Sequence, residues 1–129
     1  LDGETDRVKH VPTVVNADQF ADLQAEVRRT KIDAALGTYL QALLSATRSS
    51  PLLALGASTR AGMSLARAAR ARALLRGRNY CVADDFHDLA APVLAHRVRL
   101  ASHVEGYVPT RDETEAAIRD IIERVPVPL

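Results

Sequence analysis

The stretch from Ser58 to Gly77, STRAGMSLARAARARALLRG, decides the fold of this chain. It opens on a serine suited to cap a helix and closes on a glycine suited to end one. Alanine, leucine and arginine fill the interval, and the spacing predicts one long helix that neighbours can approach closely over its small side chains. From Ser58 to Asn79 there are six arginines and no Asp or Glu. On an ideal helix Arg60, Arg67 and Arg78 would project within about 20° of one azimuth, with Arg72 and Arg76 on another side.

Upstream, Leu52 to Leu55 is a short apolar segment, and Ser49-Ser50-Pro51 stops whatever precedes it. What precedes it is a second helix from Asp33. There Leu36, Tyr39, Leu40, Leu43, Leu44 and Thr47 recur at the spacing of one helical face. Asn16 and Gln19 form a capping-box pattern for a first helix, along which Phe20, Leu23 and Val27 share an apolar face. Residues 1–15 lack helical period and read as a lead-in or linker.

Downstream, Tyr80-Cys81-Val82 reads as a brief extended piece. Asp84 and Asp85 then open a fourth helix with Phe86, Leu89, Ala90, Val93 and Leu94 as its core face. Pro92 is expected to kink or split that helix, because it has no N–H for the Asp88 carbonyl. His103 to Pro109 reads as a loop. Thr110 and Glu113 form a second capping box, leading into a helix with Ile118, Ile121, Ile122 and Val125 on one face, and Pro126 ends it. The expected fold class is all-α: a bundle of about five helices, one domain over residues 16–129.

Composition agrees. The chain has 129 residues, 47% hydrophobic and 26% charged, with aromatics at only 4%. Its core is therefore built from Leu, Ala, Val and Ile, which suits packed helices. The net charge of +1 provides no strong field for nucleic acid or membrane, although fifteen of the seventeen basic residues are arginine. No run approaches the roughly 20 apolar residues of a membrane span, and no signal peptide opens the chain. The single cysteine, Cys81, excludes an internal disulfide and suits a reducing cytoplasm. The first residue is Leu1 rather than Met, and the expectation is a domain excised from a longer protein.

The chemistry is defined by what is missing. A phosphate-cradling loop needs a glycine-rich turn ending in Lys-Ser or Lys-Thr. The two lysines, Lys9 and Lys31, follow no glycine and precede no Ser or Thr. The chain has no nucleotide-hydrolysing core, and no catalytic residue is expected in it. No metal site is expected either: His10, His87, His96 and His103 include no i, i+4 pair, and His87 and His96 would face opposite sides of one helix. Ser58 reads as a cap rather than a nucleophile. Asp84, Asp85 and Asp88 read as acids complementing a helix start, and Cys81 as an inert thiol. Most arginines of the third helix read as stems packed over apolar neighbours with exposed heads. Arg60 differs, since it occupies the first turn, where unpaired amides and the helix dipole already favour an anion.

At this segment the sequence resembles a known family. Gly56-Ala57-Ser58-Thr59-Arg60-Ala61 is similar to the Gly-Ala-Ser-Pro-Arg-Ala motif of MoxR-type AAA+ ATPases, which opens the sensor 2 helix of their small helical lid. The likeness continues through Ala71-Arg72-Ala73-Leu74-Leu75-Arg76-Gly77-Arg78-Asn79-Tyr80, Asp84-Asp85-Phe86 and Pro92-Val93-Leu94-Ala95-His96-Arg97, with Thr47-Arg48 before it and Arg124-Val125-Pro126-Val127-Pro128 after. It departs at Thr59, where the family has Pro, at Arg72, usually apolar, and at Val82-Ala83, where Thr-Pro is usual. The last change removes a polar cap, a loss of about 1 kcal/mol.

The resemblance implies a lid that closes over ATP and Mg bound mainly by a separate core domain, with Arg60 as the sensor 2 arginine and Ser58 as a weaker, capping contributor. It implies an ATP-hydrolysing parent, bacterial and cytoplasmic. Its partners would be the chain's own core, neighbouring subunits in a ring such as a hexamer, and a client for chaperone-like remodelling. Without the resemblance, a helical nucleic-acid-binding module or a protein adaptor using the Arg-rich helix stands as the alternative.

Overall fold

Asn16, Asp33, Ser58 and Thr110 each accept a hydrogen bond from the amide three residues ahead, at 2.8, 2.8, 3.2 and 3.2 Å, and a helix begins after each. The computed structural model describes residues 11–102 and 106–128. The helices are α1 (Ala17–Arg29), α2 (Ala34–Ser49), α3 (Thr59–Leu75), α4 (Ala83–Leu94) and α5 (Arg111–Ile122). Lys9, His10 and His103 lie outside the described residues, as does most of the expected lead-in.

α3 runs through the middle of the bundle, touching α1, α2 and α4, while α5 closes the far side against α2 and α4. Its buried row is Ala61, Leu65, Ala69 and Ala73, four residues apart, each at most 1% exposed. Beside that row lies Gly62, where a Cβ would come within 2.5 Å of the Leu44 side chain of α2. The alanine content therefore does what close packing requires. Phe86, Ala90 and Leu94 of α4, Ile118 and Ile122 of α5, and Leu36, Tyr39 and Leu43 of α2 complete one contiguous core.

Two short strands join the helices: β1 (Leu53–Leu55) pairs antiparallel with β2 (Arg99–Leu100), Leu53 opposite Leu100 and Leu55 opposite Arg99. Lys31 also bridges the Tyr80 region, accepting from the Cys81 amide and donating to the Asn79 carbonyl at 2.9 Å each. Cys81 is buried there, and burial pushes its thiol up from the ordinary value, which keeps it protonated and inert.

One expected face stays open, and two expectations change. The α1 face of Phe20, Leu23 and Val27 is not covered: Phe20 is 57% exposed, Leu23 is 45% exposed, and no residue of α1 is buried. α4 continues through Pro92 to Leu94 and tightens into a 3-10 turn at Ala95–Arg97, which removes His96 from the helix. Asp88, whose carbonyl Pro92 leaves without its helical donor, is exposed, so water can take that place. Arg78 does not continue the azimuth of Arg60 and Arg67. Gly77 adopts φ 73°, and the Arg78 amide turns back to the Ala73 carbonyl at 2.9 Å, placing Arg78 beyond the helix.

That reversal brings Arg78 onto Asp85. Both guanidinium ends donate to the carboxylate at 2.8 Å, the Val82 amide donates to it at 2.9 Å, and Arg72 Nε lies 3.6 Å away. Arg72 also pairs with Asp88. Asp85 thus supplies the reciprocal half of a cap that Val82 cannot provide. Its side chain is 1% exposed. Burial alone would push the carboxyl up, but the hydrogen bonds from Arg78 and Val82 and the neighbouring Arg72 outweigh it and hold the group below the usual range.

A carboxylate depressed in the folded state contributes stability above its unfolded value of about 3.9 and loses it as pH falls through the lower folded value. Asp85→Asn should therefore cost about 3 kcal/mol in urea unfolding at pH 7, since it leaves two guanidinium groups facing a neutral amide. The gap from the native chain should narrow as pH drops below about 4.

Candidate functional site

The segment that opens α3 is gripped by the last turn of α2. Thr47, fully buried, donates through Oγ1 to the Leu44 carbonyl at 2.7 Å and accepts from the Ala57 amide at 2.9 Å. The next residue, Arg48, donates through Nε to the Ala57 carbonyl at 2.8 Å. Consecutive side chains of one helix therefore hold both polar groups of a single residue. Gly56 makes the approach possible: a Cβ there would lie 2.6 Å from Arg48 Cα and 2.7 Å from the Thr47 carbonyl oxygen. Both are backbone atoms, which cannot move aside as a flexible side chain can.

Ser58 follows in extended conformation, its Oγ accepting from the Ala61 amide and its carbonyl from the Gly62 amide at 3.1 Å. Thr59 takes the first helical position without difficulty, since α3 starts there despite the absent proline. Arg60 comes next. It is exposed, and no carboxylate of the described residues lies within ion-pair distance of it. The amides of Thr59 and Arg60 belong to the unpaired first turn of the helix, whose dipole adds partial positive charge. The arrangement suits an anion with several oxygens: a planar donor fork on a rigidly placed helix start.

The other candidates separate from it. Asp85 serves the α3–α4 junction, and Asp84 and Asp88 are exposed at the start and middle of α4. His87 Nδ1 lies 3.5 Å from the Asp88 carboxylate, while His96 sits in the 3-10 turn. Among the described residues no three His, Cys, Asp or Glu side chains converge as metal ligands, and no helix is long and apolar enough to cross a membrane. The six arginines between Ser58 and Asn79 do not act together: Arg72 and Arg78 are committed to Asp85 and Asp88. Sequence reasoning named Arg60 as a candidate and Ser58 as a cap, of which the cap is present, but gave Thr47 and Arg48 no mechanical role. Their signal was an Oγ and a guanidinium at the end of a helix that a glycine must cross.

Gly56→Ala should lower stability by about 3 kcal/mol, the upper end for overpacking, because backbone cannot yield to the new methyl group. A thermal melt beside the native chain measures this. Thr47→Val, of nearly the same shape, should cost about 1–3 kcal/mol by leaving the buried Ala57 amide unpaired.

Residues 45–121 match the family model of the AAA lid domain. The chain is 33% identical to the uncharacterized protein YeaC of Bacillus subtilis (strain 168) over 124 residues, which is 95% of this chain and 37% of that protein. It superposes on the crystal structure of a candidate ATPase from Cytophaga hutchinsonii ATCC 33406 with a TM-score of 0.79 and 26% identity, over 97% of this chain and 42% of that one. The chain thus spans about two fifths of the length of these relatives. Matched over more than half its length by that model, the chain belongs to the AAA lid domain family.

Proposed function

We propose that this lid serves a MoxR-type AAA+ ATPase, with residues 16–129 forming the lid and residues 1–15 leading into it. The lid closes over ATP held with Mg mainly by a separate core domain. The observation that carries this reading is the exposed Arg60, without an ion-pair partner among the described residues, on a helix start that Thr47, Arg48 and Gly56 fix in place. A description as an ATPase attaches to one relative of more than twice the length, which supports a hydrolytic parent.

Bound ATP supplies the phosphoryl group whose transfer concentrates charge on the terminal oxygens. Arg60 meets that charge with the planar N–H donors of its guanidinium, carried on a helix start that is already fixed in place. The first-turn amides add to the same field. The described donors fit a phosphate, whereas the acids that ligate Mg belong to the core. Because α3 is the central helix of the bundle, a pull on Arg60 is transmitted to the lid as a rigid body. In a ring such as a hexamer, that motion couples hydrolysis to chaperone-like remodelling of a client in a bacterial cytoplasm.

The nucleic-acid alternative fares worse, since two of the six arginines it would use are neutralised within the fold. In the parent protein, Arg60→Ala should reduce ATP turnover or ATP affinity about tenfold or more, the worth of a charge-assisted hydrogen bond. Arg76→Ala, exposed at the other end of α3, should leave both unchanged. Native turnover and affinity in the Arg60 variant would remove Arg60 from the site.

A further inference from the structure

α1 lies against α3 without burying its apolar face, and the two helices border a groove of about 700 Å³. Phe20, Leu23 and Val27 line one wall, and Leu74 and Leu75 the other. Leu75 is 86% exposed at the end of α3, and Phe20 is more than half exposed, so the two helices share an open apolar surface. Three arginines, Arg28, Arg67 and Arg70, also line the groove, and no acidic side chain does.

Arg29, Arg72, Arg78, Arg111, Arg119 and Arg124 each meet a carboxylate, while Arg60 and Arg76 stand singly without one among the described residues; the groove differs in gathering three such arginines on one surface. Arg28, Arg67 and Arg70 meet none among the described residues; Arg67 reaches only the Met63 carbonyl, and Arg70 Nε is buried without an acceptor. A helix-lined apolar groove with unmatched cations on its walls complements an amphipathic helix whose apolar residues are flanked by Asp and Glu. A second copy of the same surface does not complement it, because a two-fold contact would set these arginines against each other.

From this we infer that the α1–α3 groove is a docking site for an acidic amphipathic helix of another polypeptide. The site lies farther along α3 than Arg60 and does not include that side chain. Leucine or phenylalanine side chains enter between α1 and α3, and carboxylates on the helix flanks pair with Arg28, Arg67 and Arg70.

The test uses the full-length parent protein and three labelled helical peptides of about 18 residues, read by fluorescence anisotropy. One carries a Leu/Phe stripe flanked by Glu, one the same stripe flanked by Lys, and one a scrambled Glu sequence. The inference expects micromolar binding of the Glu peptide and at least tenfold weaker binding of the other two. Phe20→Asp, at an exposed position and checked for native helix content by circular dichroism, should abolish binding while ATP turnover stays native. Arg28→Glu with Arg67→Glu should weaken the Glu peptide at least tenfold and strengthen the Lys peptide. Equal binding of the Glu and Lys peptides would overturn the proposal, as would binding indifferent to Phe20. It is also overturned if the peptide binds the 129-residue chain but not the parent, where the core would then cover the groove. Concentration-dependent self-association abolished by Phe20→Asp, or binding of anionic phosphatidylserine vesicles in place of the peptide, would overturn it equally.

Discussion

Everything at the front of this domain depends on one backbone crossing in which Gly56 passes α2 so closely that no side chain fits. The crossing brings Ala57 between Thr47 and Arg48, whose hydrogen bonds saturate its amide and carbonyl. A residue held on both sides leaves the following Ser58 little freedom. Its cap on Ala61 therefore fixes where α3 begins and which way its first side chains project. Arg60 is two residues along that helix, so its position follows from contacts it does not itself make.

The opposite end of α3 is secured by different physics. Gly77 reverses the chain, and Arg78 returns to the buried Asp85 carboxylate that also organises the start of α4. Burying this charge is tolerable because two guanidinium ends and an amide satisfy it, with Arg72 close by. Between these two anchors runs a row of three alanines and Leu65, buried in the core. Fixed at both ends and closely packed along its length, α3 can carry a force from its first turn into the rest of the bundle.

Much of this was legible in the sequence. The capping residues Asn16, Asp33, Ser58 and Thr110 mark helix starts because each side chain bonds the backbone amide three residues ahead in its own segment. The apolar stripes of α2, α4 and α5 are likewise properties of single helices. What escaped depends on distant partners. Asp85 looks like any acid at a helix start until the Gly77 turn delivers Arg78, and Arg78 shares an azimuth with Arg60 only if the helix continues. β2, two residues long, is too short for a period to show. The face of α1 has a proper amphipathic pattern, yet pattern states only that a face is apolar and cannot say what covers it. At the candidate site the cation and its cap were readable, whereas the grip on Ala57 joins residues ten apart through side-chain geometry.

The central claim is that the fixed start of α3 delivers Arg60 to the terminal phosphate of a nucleotide held by another domain. The most direct measurement is a structure of the parent protein with a non-hydrolysable ATP analogue bound. The account predicts a guanidinium nitrogen of Arg60 about 3 Å from a γ-phosphate oxygen, with the Thr47 and Arg48 bonds to Ala57 intact. Arg60 pointing to solvent in a closed, nucleotide-bound parent, with another residue on the γ-phosphate, would contradict it.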